Sequence, residues 1–158
     1  MPKFGKRSTQ NKKTLVQKLQ DVLDIVILKM DISVICGTRG KEDQNKAYDE
    51  GKSTLRYPQS NHNKSPSSAV DVVPYPSLWS DVGKFYRLAA HMFRAANDVG
   101  IKLRGGLDWN RNGDLADQKF NDLPHFEEKG KATDDEIIQQ EKLSKAYDKA
   151  AERWESNH

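Results

Sequence analysis

Ser60-Asn61-His62-Asn63-Lys64-Ser65-Pro66-Ser67-Ser68-Ala69-Val70-Asp71, read together with Asp122-Leu123-Pro124-His125-Phe126-Glu127, decides how this chain is understood. His62, Asp71 and His125 offer a nitrogen, an oxygen and a nitrogen donor. Three protein ligands with a fourth position left open is the usual arrangement of a catalytic zinc site. Asp122 stands three residues before His125, where its carboxylate would reach a water held at such a site. Ala69-Val70-Asp71-Val72-Val73 reads as a central strand that Asp71 interrupts. An unpaired carboxylate buried there costs on the order of several kcal/mol, and a metal ion or an arginine would offset that. His62 and His125 sit in polar, turn-rich contexts. His91 falls within a helix and His158 at the terminus, so both read as non-functional. Spacing alone leaves open whether the three donors meet, since a single His or Asp is more often structural.

Working outward, residues 1–7 form a basic arm. Leu15, Leu19, Val22, Val26 and Met30 recur at helical spacing, which predicts one helix from Ser8 to Met30. Ile32 to Cys36 reads as a buried strand, Gly37-Thr38-Arg39-Gly40 as a turn, and Lys41 to Glu50 as a polar helix stopped by Gly51. Residues 52–68 are a Ser-, Asn- and Pro-rich loop carrying His62. Trp79 to Val99 is a second long helix ended by Gly100. Ile101 to Arg104 and Pro124 to Glu127 are short strands, and Thr133-Asp134-Asp135-Glu136 has capping-box spacing ahead of a last helix over 133–156. The order predicts a single α+β domain over 1–158, with a small, mainly antiparallel sheet flanked by helices.

The 158 residues, 35% hydrophobic and 31% charged, suit one modest core under a heavily charged surface. The apolar run Ile25-Val26-Ile27-Leu28 is too short to span a bilayer, so stable membrane insertion is not expected. Polar residues follow the N-terminal lysines where a signal peptide would need an apolar stretch, so the expectation is a cytoplasmic chain. Cys36 is the only cysteine, which excludes an internal disulfide and suits a small buried hydrophobe. The net charge of +3 comes largely from the N-terminal lysines and Arg7. It raises an alternative, a basic nucleic-acid-binding protein or nuclease, but no recognised nucleic-acid motif accompanies it.

The block Ser60-x-His62 … Ala69-Val70-Asp71 with Asp122-x-x-His125-Phe-Glu resembles the D-alanyl-D-alanine carboxypeptidase and L-alanyl-D-glutamate peptidase family, which includes VanY-like enzymes and many phage endolysins. The similarity extends to Gly37-Thr38-Arg39 followed by Gln44, to Gly51-Lys52-Ser53 and to Gly105-Gly106-x-Asp108-Trp109, and runs to about residue 128. Eight residues separate His62 from Asp71. That interval is longer than the common family form, and Pro66 stands where that form has a glycine turn. The longer block is similar to a phage-lysin variant.

The resemblance implies a Hedgehog/DD-peptidase-like fold and one zinc held by His62, Asp71 and His125. It implies Asp122 as general base and Arg39 as stabiliser of the charge developing on the scissile carbonyl. Ser60, Gln44 and Trp109 would contact substrate. The implied activity is zinc-dependent L-alanyl-D-glutamate endopeptidase cleavage of the peptidoglycan stem peptide. The alternative is a carboxypeptidase that trims terminal D-alanine. The expected protein is a monomeric endolysin that waits in the host cytoplasm for a holin and then acts on the periplasmic wall, without a nucleic-acid partner. Separately, Asp108-Trp109-Asn110-Arg111-Asn112-Gly113-Asp114 has the spacing of the first half of an EF-hand loop. Asp108, Asn110, Asn112 and Asp114 are candidate calcium ligands, and Asp117 is a substitute for the glutamate missing at Lys119.

Overall fold

In a computed structural model, which describes residues 2–158, the chain forms five helices and four strands, with Met1 of the basic arm outside the described residues. In chain order these are α1 (Lys6–Lys12), α2 (Gln17–Val26), β1 (Ile32–Cys36), α3 (Lys41–Asp49), a 3₁₀ turn (Asn61–Asn63), β2 (Ala69–Pro74), α4 (Val82–Val99), β3 (Ile101–Gly105), β4 (His125–Lys131) and α5 (Asp134–Asn157). The strands make one antiparallel sheet in the order β1-β2-β4-β3.

Alternation along the strands separates the two faces of the sheet. Val34, Val70, Val72, Leu103 and Phe126 point into the core with α2 and α4. Asp71, Arg104, His125 and Glu127 fall on the opposite parity. Asp71 pairs in register with His125 on one side and with Cys36 on the other. The polar residue that breaks the apolar run of β2 is therefore placed at the centre of a row crossing three strands.

The single N-terminal helix expected from periodicity is two helices, and the first begins at Lys6, within the expected arm. The chain opens at Thr14–Val16 because its backbone pairs elsewhere. Val16 N–H donates to the Ser67 carbonyl and Ser67 N–H to the Thr14 carbonyl, both at 2.9 Å. These bonds staple the His62 loop to the body. Gly37 packs so closely on this break that a Cβ there would lie 2.1 Å from Thr14 Oγ1. The second long helix also starts later than expected, at Val82, because Asp81 caps it by accepting from Lys84 N–H.

β3 is an edge strand, and exposed edges invite unwanted pairing. Here side chains cover it. Gln140 of α5 accepts from Leu103 N–H at 2.7 Å and donates to the Ile101 carbonyl at 3.1 Å, while Arg111 Nε donates to the Leu103 carbonyl at 3.0 Å. The last helix thus closes the sheet as well as packing on α4. Among the described residues no helix is long and apolar enough to cross a membrane.

Candidate metal centre and catalytic cleft

His62 enters the site from the 3₁₀ turn, which Ser60 caps by accepting from His62 N–H at 3.2 Å while Asn63 accepts from Ser60 N–H at 3.0 Å. Asp71 and His125 come from adjacent strands. The three donor atoms converge. His62 Nε2 is 3.2 Å from Asp71 Oδ1 and 3.2 Å from His125 Nδ1, and His125 Nδ1 is 3.3 Å from Asp71 Oδ1. A tetrahedral ion with bonds of about 2.0–2.1 Å separates its ligands by about 3.3–3.4 Å, so the triangle fits zinc.

The outer ring nitrogens are already committed. His62 Nδ1 donates to the Gly37 carbonyl at 2.8 Å and His125 Nε2 to Glu127 Oε1 at 2.8 Å. When the rings are neutral, that leaves the inner nitrogens as lone pairs facing each other and a carboxylate, an arrangement that suits a cation at its centre. Without a metal, the Asp71 carboxylate draws positive charge onto the rings instead. Burial opposes it, but hydrogen bonds to Asp71 and Cys36 raise the His62 pKa to about 10. His125 is raised likewise by Asp71 and Glu127 against burial. Asp71, despite burial, is held well below the usual carboxylate range by His125 and His62.

Cys36 offers a competing donor set with His62 and Asp71, all within 4.8 Å of one another. Its Sγ lies 3.8 Å from His62 Nδ1, the nitrogen engaged by Gly37, on the far side of the ring from the triangle. The shorter and mutually equal distances favour His125 as the third ligand.

Asp122 lines the same cleft, of about 760 Å³. Its backbone is anchored by Asp122 N–H to the Gly106 carbonyl at 3.0 Å and by His125 N–H to the Asp122 carbonyl at 3.1 Å. A Cβ at Gly106 would lie 2.3 Å from the Asp122 carbonyl oxygen, so only glycine allows this approach. Burial and the charge of Asp71 push the Asp122 pKa up to about 6, against the pull of His125, His62 and Arg39. Arg39 also lines the cleft, with Nη2 3.5 Å from Asp71 Oδ2 and Nη1 donating to Gln44 at 3.1 Å.

Two of the candidate substrate contacts serve as supports, one of them from outside the cleft. Gln44 is fully buried behind Arg39 and is not among the cleft-lining residues. Ser60 touches the cleft, but its hydroxyl is the cap on His62. Trp109 does form a wall, its ring 5.3 Å from that of His125 and its Nε1 donating to the Phe120 carbonyl at 2.6 Å.

Sequence reasoning missed the Glu127–Arg104 pair. Glu127 follows His125 by two on β4 and so shares its face, a signal that period-two counting contains. Arg104 sits in register across from it and donates to Glu127 Oε2 at 2.9 Å, which holds the Glu127 pKa down to about 2 against burial, after the His125 contribution. Trp79 and Leu55 also line the cleft.

The Asp/Asn loop is a tight turn closed by its own side chains. Asp108 is fully buried and accepts from Gly113 N–H at 2.8 Å, with Gly113 at φ 81°. Asp108 Oδ1, Asn110 Oδ1 and the Asp114 carbonyl surround the Gln118 side-chain nitrogen at 3.4, 3.5 and 3.2 Å, and Asp117 joins them. Asn112 donates to Asp117 at 2.6 Å.

The model of the phage L-alanyl-D-glutamate peptidase family matches residues 1–128, which leaves α5 outside the match. The L-alanyl-D-glutamate peptidase of Escherichia phage T5 is 30% identical over 121 residues, covering 73% of this chain and 88% of that protein. The crystal structure of Serratia marcescens L-Ala D-Glu endopeptidase ChiX shares the fold, with a TM-score of 0.63 at 24% identity over 80% of this chain and 90% of that one.

Proposed function

The chain belongs to the phage L-alanyl-D-glutamate peptidase family, and from that premise we propose that His62, Asp71 and His125 hold the zinc at which it works. It is an endolysin-type peptidase that hydrolyses the peptidoglycan stem peptide between L-alanine and D-glutamate. Family membership sets aside both the nucleic-acid alternative and the trimming of terminal D-alanine. The observation that carries the metal assignment is the triangle of donor atoms at 3.2, 3.2 and 3.3 Å.

When bound, zinc would supply Lewis acidity, lowering the pKa of water to about 7 and polarising a carbonyl. The remaining work belongs to the chain. Asp122 accepts the proton of the attacking water and delivers it to the departing D-glutamate nitrogen. Burial holds the affinity of this carboxyl for a proton up, and its place in the cleft beside His125 suits it to both halves of that transfer. Arg39 faces the cleft with one edge tied to Gln44, so its guanidinium is pre-oriented toward the carbonyl oxygen as charge develops. Glu127, itself fixed by Arg104, orients the His125 ring.

The 158 residues act as one monomeric domain that reaches the wall from the host cytoplasm through a holin. The 108–118 loop takes up calcium through Asp108, Asn110, Asn112, Asp114 and Asp117. Digesting purified peptidoglycan and identifying the new amino termini by mass spectrometry tests the activity. New D-glutamate termini are expected, and release of free D-alanine alone would overturn it.

A further inference from the structure

Trp79 stands on the wall of the cleft that holds His62, Asp71 and His125, and 56% of its surface is exposed. It is not a loose side chain. Its indole stacks on Phe85 with ring centroids 5.3 Å apart and 25° between the planes, and Phe85 is buried in the first turns of α4. One indole face is therefore fixed against the body and the other is open. Tyr75 and Leu78, from the same segment between β2 and α4, are 60% and 57% exposed. Burial of large apolar side chains is favourable, and this segment leaves three of them more than half exposed. An exposed aromatic face held in place on the wall of a catalytic cleft marks a surface that a ligand covers.

The chemistry of the substrate says which ligand, and this step rests on the peptidase reading above. In peptidoglycan the alanine nitrogen is acylated by the lactyl group of muramic acid, and the bond cut is the next amide along. One residue and one lactyl link, roughly 7 Å when extended, separate the scissile carbonyl from the sugar ring. The sugar must therefore lie at or within the rim of the cleft. A cleft of about 760 Å³ lies in the upper part of the range for small-molecule sites, roughly 300–1,000 Å³. It has room beyond the two residues flanking the bond. A pyranose ring presents a face of C–H groups, apolar and weakly positive, which complements the electron-rich face of an indole. The peptide on that side of the bond offers only the methyl group of alanine, which needs no such surface.

We propose that Trp79 is a sugar platform. Its open face stacks on the muramic acid ring, and the enzyme reads the glycan as well as the peptide.

The test compares two soluble substrates with one stem-peptide sequence. One carries N-acetylmuramic acid on the alanine nitrogen and the other carries a lactyl group alone. An aromatic stack adds to affinity beyond burial, so the wild-type protein should prefer the muramyl peptide by about two- to tenfold in kcat/KM, chiefly through KM. In Trp79→Ala that ratio should collapse toward one, and in Trp79→Tyr it should recover in part, with zinc content and melting temperature unchanged in both. A wild-type ratio near one would overturn the platform. So would a Trp79→Ala protein that keeps the wild-type ratio, whether or not both rates fall together. Failure of the wild-type protein to cut either peptide or intact wall would overturn the peptidase reading itself, and the platform with it.

Discussion

The Tyr147 hydroxyl donates to the Asp108 carboxylate at 2.9 Å, and both side chains are fully buried. Burial and the adjacent Asp108 charge push the Tyr147 pKa far up, so it stays a donor. This bond ties α5, which lies beyond the residues matched to the family, to the loop that leads into the cleft. The next residue, Trp109, packs beside His125 and holds the Phe120 carbonyl. Tyr147→Phe keeps the ring packed on Phe93 but removes the donor. A hydrogen bond to a charged group contributes about 1.5–3 kcal/mol, and in a chain of this size each kcal/mol moves the melting temperature by about 2–4 °C. Thermal unfolding of the variant should therefore show a drop of several degrees. An unchanged midpoint would mean that water or Gln118 satisfies Asp108 equally well.

The choice between His125 and Cys36 as third ligand is open to direct measurement. His62→Ala and His125→Ala should each lose zinc on dialysis, and Cys36→Ser should keep it, as read by elemental analysis. Zinc retained in His125→Ala but lost in Cys36→Ser would move the site to the other face of His62.

How much of this was legible beforehand depends on the range of the forces involved. Asp71 is conspicuous because a carboxylate within the apolar run Ala69-Val70-Asp71-Val72-Val73 requires a partner, a metal ion or an arginine. The antiparallel sheet followed from short strands and polar turns. The break at Thr14–Val16 was hidden because nothing local causes it. The apolar stripe continues through Leu15, and only the distant backbone of Ser67 opens the helix. Trp79 was assigned to α4 by periodicity, whereas Asp81 captures the helix start. The family resemblance implies substrate contacts for Gln44 and Ser60. Their side chains are spent on Arg39 and on the backbone of His62. Glu127 was readable from its spacing to His125, but the partner that fixes it, Arg104, is set by strand register alone.

Asp122→Asn separates chemistry from folding. It should keep zinc and lose activity by roughly 100- to 10,000-fold, the usual contribution of a general acid–base group. Its effect on the metal-free protein should run the other way. A carboxyl raised from 3.8 to about 6 on folding contributes stability that is fully present below 3.8 and lost as pH rises through about 6. Near neutrality the ionised group is therefore a penalty that the amide removes. Metal-free Asp122→Asn should melt no lower than metal-free wild type at neutral pH. A clear drop would show that the carboxylate is structural.

The same group sets the acid limb of the rate profile. Asp122 accepts a proton only when ionised, so kcat/KM should fall about tenfold per pH unit below its pKa. That value is about 6 without metal, and a cation at the adjacent triangle would lower it, so the limb of the zinc enzyme should lie at or below about 6. The pH dependence of cleavage of a soluble peptide checks this. The limb should vanish from the residual activity of Asp122→Asn, and a variant that keeps the wild-type limb would remove Asp122 as the base.

Calcium at the 108–118 loop would act on the cleft through Gln118. Its side-chain nitrogen sits where Asp108 Oδ1, Asn110 Oδ1, the Asp114 carbonyl and Asp117 converge, at distances mostly long for good hydrogen bonds. Calcium binds six to eight oxygens at about 2.3–2.6 Å, so it would displace that nitrogen and draw the oxygens inward. Gln118 Oε1 meanwhile accepts from the Trp109 backbone N–H at 2.9 Å, so expelling Gln118 frees Trp109, whose ring lies beside His125. Binding should therefore appear both as heat and as a change in tryptophan fluorescence. The experiment strips both metals, restores zinc alone and titrates calcium while following lysis, heat and emission. Calcium-dependent lysis is expected in the wild-type protein and should be lost in Asp117→Asn, because an amide donating toward the centre replaces a negatively charged ligand. Full lysis with zinc alone and no binding heat would reduce the loop to a turn in which Gln118 is the permanent centre.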